Sequence, residues 1–269
     1  MCIRDSIYSG RGHLKCKILE VMERIIFRKA SQVLAVSQGL KTYLFQVRGV
    51  NKSKISVLPN CVEDWYLACV QVVRARRLRA RAELGLEGKT AFVYCGSTST
   101  WQKLPEMIEL YETVRKAGIA DSHFLIITSE KDRFKDVLQG KGLKREATIL
   151  TVDHRDIPSL LPAGDIGLLL RDDNVVNKVA APTKAAEYIA CGVPILATYG
   201  IGNVHGLLEV NGAGIEITLD LERELPRILT FIQDVVSRRD EYMRSAIDLA
   251  NSHFRWKSYE DVLKSVLEC

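Results

Sequence analysis

The stretch "TAFVYCGSTSTWQKLPEMIELYETVRKAGIADSHFLIITS" (residues 90–129) joins two short apolar runs through one amphipathic segment. "TAFVYCGS" (90–97) and "HFLIITS" (123–129) are too short for helices and rich in β-branched and aromatic residues, so both read as buried strands. "LPEMIELYETVRKAG" between them carries a helical period closed by Gly118. Strand, helix and strand of these lengths form a βαβ unit, which favours parallel pairing through a right-handed crossover. The alternation continues downstream. "EKDRFKDVLQGKG" reads as a helix, "ATILTV" (147–152) as a strand, "DIPSLLPAG" as a helix and "DIGLLL" (165–170) as a strand. The helix "PTKAAEYIACG", the strand "PILAT" (194–198), a short helix near 204–210, the strand "GIEIT" (214–218) and three terminal helices follow. Six strands alternating with helices make an α/β fold with a doubly wound, Rossmann-like parallel sheet. Such sheets bind ligands beyond the carboxyl ends of their strands, so chemistry is expected in the loops after strands 90–97, 147–152 and 165–170.

Upstream, residues 13–30 place Leu14, Ile18, Val21, Ile25 and Ile26 on one helical stripe, expected to dock on a sheet. "QVLAVS" (32–37) and "KISVLPN" (54–60) read as strands flanking a helix with Ser37 as its N-cap, a second βαβ unit. Residues 61–87 read as a connection whose helix ends at Gly85. Its segment "RARRLRARA" (74–82) is either a solvated face or a contact with an anionic surface such as lipid headgroups. No aromatic residue is interleaved there to stack on bases, which argues against nucleic acid.

Composition narrows the class. With 47% hydrophobic and 26% charged residues and a net charge of +5, the 269-residue chain is ordinary for a globular protein. No apolar run reaches the roughly 18 residues of a membrane span. Seven scattered cysteines without a Cys-x-x-Cys pair suit a reducing cytoplasm, and no histidine pair has zinc-ligand spacing. The first residues, "MCIRDS", lack signal-peptide grammar and resemble a translated adapter remnant, so 1–6 is expected to be a non-native leader.

"VAAPTKAAEYIACGVPILAT" (179–198) puts charge and hydroxyl at the start of a short helix. Ala181 precedes a proline, Pro182 suits the first helical position, Gly192 suits a left-handed terminator and Pro194 forbids continuation. The amides of Thr183, Lys184 and Ala185 are expected to lack intrahelical partners, and the helix dipole makes that end an anion site. Glu187, one turn beyond Thr183, is suited to two adjacent sugar hydroxyls. Phosphate followed by ribose is the layout of a nucleotide. In the alternative, Lys184 is solvated and Glu187 pairs with a basic neighbour.

Five separated segments, "VLAVSQGLKTYL", "KISVLPNCVE", "FVYCGSTSTWQKLPEMIELY", "DIPSLLPAGDIGLLL" and "PTKAAEYIACGVPILAT" followed by "GIGN", resemble glycosyltransferase family 4, which has the two-domain GT-B fold. The resemblance runs from about residue 13 to the C-terminus. It implies retaining transfer of a sugar from a nucleotide-diphosphate sugar to an acceptor hydroxyl, with the donor held mainly by the C-terminal domain. It places a glycine and a basic pair at Gly96, Ser97 and Lys103, with serine standing where the family has arginine. Glu187 matches the second of two glutamates and contacts ribose, whereas the first falls on Val179. The nucleobase is expected at Val152, Asp153, His154 and Arg155, and the phosphates at Pro182, Thr183, Lys184 and Ala185. Lys103 and Glu187 are the candidate catalytic residues. Lys184, Asn177 or Arg171 could supply the polar groups that Val179 cannot, or else donor handling is impaired.

The resemblance also implies no metal or other cofactor, a glycan or lipid-linked saccharide as acceptor, a cytoplasmic location and peripheral contact with the inner membrane face. The expected division is a remnant of the N-terminal acceptor domain at 7–62, a connection at 63–87, the donor domain at 88–250 and a returning helix at 251–269. A chain so divided would bind donor with little or no turnover. A non-catalytic nucleotide-sugar-binding module and a GT-B-fold nucleotide-sugar epimerase are the alternatives.

Overall fold

A computed structural model describes residues 13–267, with side chains described from residue 18 onward. The expected leader at 1–6 lies outside them. The N-terminal lobe comprises α1 (His13–Lys29), β1 (Val33–Ala35), α2 (Gln38–Gln46) and β2 (Ile55–Val57), with β1 and β2 paired in parallel. Ser37 caps α2 as expected, its hydroxyl accepting from the Leu40 amide at 2.9 Å. A short connection leads to α3 (Val70–Leu84), closed by Gly85.

The large lobe begins with β3 (Thr90–Cys95), α4 (Leu104–Lys116), β4 (Ser122–Ile127), α5 (Lys131–Gly140) and β5 (Ala147–Leu150). Next come α6 (Ile157–Leu160), β6 (Ile166–Leu169), α7 (Val175–Val179), α8 (Thr183–Ala190), β7 (Ile195–Thr198), α9 (Leu207–Val210) and β8 (Gly214–Ile217). The helices α10 (Leu221–Ser237), α11 (Arg239–His253) and α12 (Glu260–Leu267) complete the described chain. Strand order is β5-β4-β3-β6-β7-β8, all parallel. The chain therefore winds outward from β3 in one direction and from β6 in the other, and β3/β6 is the switch point where such sheets open a crevice.

Period-two alternation sorts the strand residues between two cores. Ala91, Val93 and Cys95 of β3 face a cluster completed by Ala185, Ala186 and Ile189 of α8 and Leu249 of α11. Phe92 and Tyr94 face the opposite cluster, with Met107 and Tyr111 of α4 and Ile228 and Ile232 of α10. Both faces are buried, which explains why these strands read as continuous apolar runs.

Three expectations change. The arginine-rich helix α3 is solvated on one side only, with Arg79 82% exposed and Arg74 43% exposed. Arg77 and Arg81 turn inward onto Asp165, whose side chain is 5% exposed, and Arg239 of α11 lies 3.5 Å from the same carboxylate. Asp165 also accepts the Ala91 amide at 2.7 Å, so one carboxylate ties α3, β3 and α11 to the start of β6. Among the described residues no sheet covers the apolar stripe of α1: Ile18, Val21, Met22, Ile25 and Ile26 are all at least 50% exposed, and Phe27 makes the core contact instead. Two three-residue strands offer that helix little surface. Leu14 lies outside the described side chains. Finally, Pro182 is the cap of α8 and not its first residue, and the separate helix α7 precedes it.

Candidate donor-binding site

The carboxyl ends of β3 and β6 open into a cleft of about 320 Å³ lined by Asn60, Trp101, Gln102, Arg171, Asn177, Pro182, Thr183 and Lys184. One wall is the start of α8. Its Ala185 amide bonds back to the Pro182 carbonyl at 3.1 Å, so of the three amides expected to be orphaned, Ala185 is not. Thr183 and Lys184 remain as the amides that open the helix, with the positive end of its dipole.

Lys184 is the side chain most closely held. Its ammonium donates to Tyr94 Oη at 2.9 Å and Gln102 Oε1 at 2.6 Å, and lies 4.4 Å from the Tyr94 ring centroid. Burial, then the charge of Arg171, pulls its pKa down to about 7. The seat exists because residue 96 is glycine. A Cβ there would stand 2.5 Å from Lys184 Nζ, and the backbone φ of +150° suits only glycine. Tyr94 Oη in turn donates to the Ser97 carbonyl at 2.6 Å, and the Ser97 hydroxyl meets that of Ser99 at 2.9 Å. The loop is anchored farther on by Glu130, which accepts from the Thr98 amide and hydroxyl and is thereby held below the usual carboxylate range.

Lys103 is, among the described residues, the non-glycine with positive φ (+50°). It serves as the cap between a turn at Thr100–Gln102 and α4. Its ammonium pairs with Glu106 and, at 3.0 Å, with Asp172, and the Glu106 bond raises it above the ordinary lysine value. The adjacent acids "RDDN" are therefore committed, Asp172 to Lys103 and Asp173 to Lys178 at 2.7 Å. Among the described residues no cluster of three metal-ligating side chains occurs.

Farther along α8, Glu187 approaches His154 at 3.3 Å, and His154 also meets Tyr66 Oη at 3.2 Å. This brings the loop after β5 to the helix face one turn beyond the start of α8. Burial, with the charge of Glu187, raises the Tyr66 phenol, which stays neutral. Asp153 is exposed, Val152 packs against the core, and Arg155 stacks 5.7 Å from the Trp65 ring. The site residues read from the sequence thus form two groups on α8, one with Gly96, Ser97 and Lys184 and one with Glu187 and His154. Tyr94, Gln102, Asn60 and Tyr66 were not anticipated. The pair "WY" at 65–66, in a segment otherwise read as a turn, was a usable signal for the last.

Val179 puts no polar side chain into the cleft, but its carbonyl accepts from Ser37 Oγ at 2.8 Å, and the Ala181 carbonyl accepts from Asn60 Nδ2 at 2.5 Å. The N-terminal lobe thus grips the segment that leads into α8. Across that segment lies a second cavity of about 240 Å³, whose described lining contains neither lysine nor arginine. It lacks the charge a diphosphate needs. The chain crosses back beside Val62, which bridges to Arg255, but α12 itself has no buried residue.

No protein-family model matches the chain. It is 20% identical over 97% of its length to chitobiosyldiphosphodolichol beta-mannosyltransferase of Candida albicans, and spans 58% of that protein. Among solved structures it is similar to Anabaena HepE in complex with UDP and glucose, with a TM-score of 0.70 at 19% identity, covering 93% of this chain and 66% of that one. It is likewise similar to WaaG, a glycosyltransferase involved in lipopolysaccharide biosynthesis, with a TM-score of 0.70 at 13% identity, covering 99% and 72%. These likenesses show the fold, the GT-B arrangement of glycosyltransferases. Among the described residues no helix is long and apolar enough to cross a membrane.

Proposed function

We propose that this chain is the donor-binding portion of a family 4 glycosyltransferase, which moves a sugar from a nucleotide-diphosphate sugar to an acceptor hydroxyl with retention. The observation that carries this is α8: a positive helix end beside Lys184 and Arg171, with the Glu187 carboxylate one turn on and the β5 loop beside it. The diphosphate lies across the Thr183 and Lys184 amides, with Lys184 and Lys103 supplying charge. Glu187 accepts the ribose hydroxyls, leaving His154, and the base rests on residues 152–155. The leaving diphosphate is stabilised by these fixed charges without a metal ion. The likeness to HepE, solved with UDP-glucose, supports a uridine donor, and the mannosyltransferase likeness supports a mannosyl one.

The acceptor is a glycan or lipid-linked saccharide of the cell surface, met on the cytoplasmic side. Contact with the inner membrane face is assigned to the exposed apolar side of α1 together with Arg74 and Arg79 of α3, since Arg77 and Arg81 are committed inside. The second candidate, a non-catalytic nucleotide-sugar-binding module, is favoured by Val179 and Ser97. Calorimetric titration with UDP-glucose and GDP-mannose in EDTA tests the site. Saturable binding of one of them is expected, and binding that requires a divalent ion would overturn the metal-free assignment.

A further inference from the structure

We propose that Lys184 is a proton-linked phosphate cation: it captures a proton as the donor diphosphate enters, so that donor affinity is governed by pH around neutrality. This rests on the donor site proposed above. The geometry sets Lys184 apart from Lys103, the other lysine assigned to the diphosphate. Lys103 has two carboxylate partners, whereas Lys184, among the described residues, is in no ion pair. Its ammonium is enclosed by the Tyr94 ring and hydroxyl, the neutral Gln102 amide and the backbone at Gly96.

The charged and titratable groups facing it come from three elements. Tyr94 and Cys95 on β3 are both neutral, since burial raises the phenol and pushes the thiol up to about 12. Arg171, just past β6, opposes a second positive charge more strongly than Glu187 on its own helix favours one. Enclosure and Arg171 together outweigh Glu187, which leaves the ammonium near the point of losing its proton at neutral pH.

A diphosphate lodged at the start of α8 reverses that balance. Its anionic oxygens supply the partner that Lys184 lacks, so the protonated form is favoured in the complex. The sign follows directly: with the free value near 7 and the bound value higher, affinity is complete below pH 7 and weakens above it, by up to about tenfold per pH unit. Between pH 6 and pH 8 the expected loss is about tenfold.

The test is calorimetry with UDP-glucose and GDP-mannose, whose phosphates carry a constant charge over this range, in buffers of differing ionisation heat. At pH 8 close to one proton should be taken up per donor bound. The affinity ratio of wild type to Lys184→Met should shrink about tenfold from pH 6 to pH 8, because the variant has nothing there to titrate. Donor binding without proton uptake, or with a constant ratio, overturns the proton linkage and leaves the donor site standing. Binding of neither nucleotide sugar to wild type at pH 6 overturns the donor site and this proposal together.

Discussion

Replacing Asp165 with asparagine tests how the arginine-rich helix is held. The carboxylate is 5% exposed, faces Arg77, Arg81 and Arg239, and accepts the Ala91 amide. Asparagine preserves the volume and an acceptor for Ala91, but leaves three guanidiniums around a neutral group. Removing one partner of a buried ion pair costs about 3–5 kcal/mol. Several carbonyls that still accept from these arginines, at Pro162, Ala163, Gly164 and Gly192, offset part of the loss. The lower end, about 3 kcal/mol, is therefore expected, which lowers Tm by roughly 6–12 °C in a chain of this size. Asp165 precedes β6, at the end of the sheet away from the cleft proposed to hold the donor, so donor affinity of the folded variant should be unchanged. Thermal melts followed by circular dichroism, together with donor titration at a temperature where the variant is folded, read both quantities. A Tm within about 1–2 °C of wild type would refute the buried-staple account of α3 and return its arginines to the surface.

Two further outcomes follow from single side chains. His123 is buried between β4 and β5, with Nε2 2.8 Å from Thr148 Oγ1, and burial holds its pKa down to about 4. The unfolded chain therefore binds the extra proton first, so stability should fall as pH drops from about 6.5 to 4, by on the order of 2 kcal/mol. His123→Gln should flatten that limb in urea titrations at pH 7 and pH 5, and an unchanged slope would contradict the assignment. Gly96→Ala places a methyl against the Lys184 ammonium at a φ of +150°. It should lower stability by about 1–3 kcal/mol and weaken donor binding, measured by melting and calorimetry, whereas wild-type affinity would show that Lys184 does not need its seat.

The sheet was legible because its central strands β3, β6 and β7 are apolar on both faces and separated by helical periods, and local pattern encodes that directly. The bounds of α8 were legible for a similar reason, since Pro182, Gly192 and Pro194 punctuate it within a dozen residues. Pairings across long sequence separations were not. Nothing near Asp165 announces Arg77, Arg81 or Arg239, and nothing near Tyr94 announces that Lys184 will lie over its ring. The stripe on α1 shows the limit of periodicity, which says which face is apolar but not whether anything covers it. Val175–Val179 was missed because a five-residue helix has no period to read, although Asn174, which caps it, was a signal.

The donor site stands most directly on Glu187. Calorimetry of wild type and Glu187→Ala with UDP-glucose and GDP-mannose, at pH 6.5 in EDTA, should show one nucleotide sugar binding saturably to wild type. The variant should bind it about 10- to 150-fold more weakly, the worth of a charge-assisted bond of about 1.5–3 kcal/mol to the ribose. Equal affinity for the two proteins, or no binding to either, would contradict the assignment of α8 as the diphosphate-and-ribose end of the site.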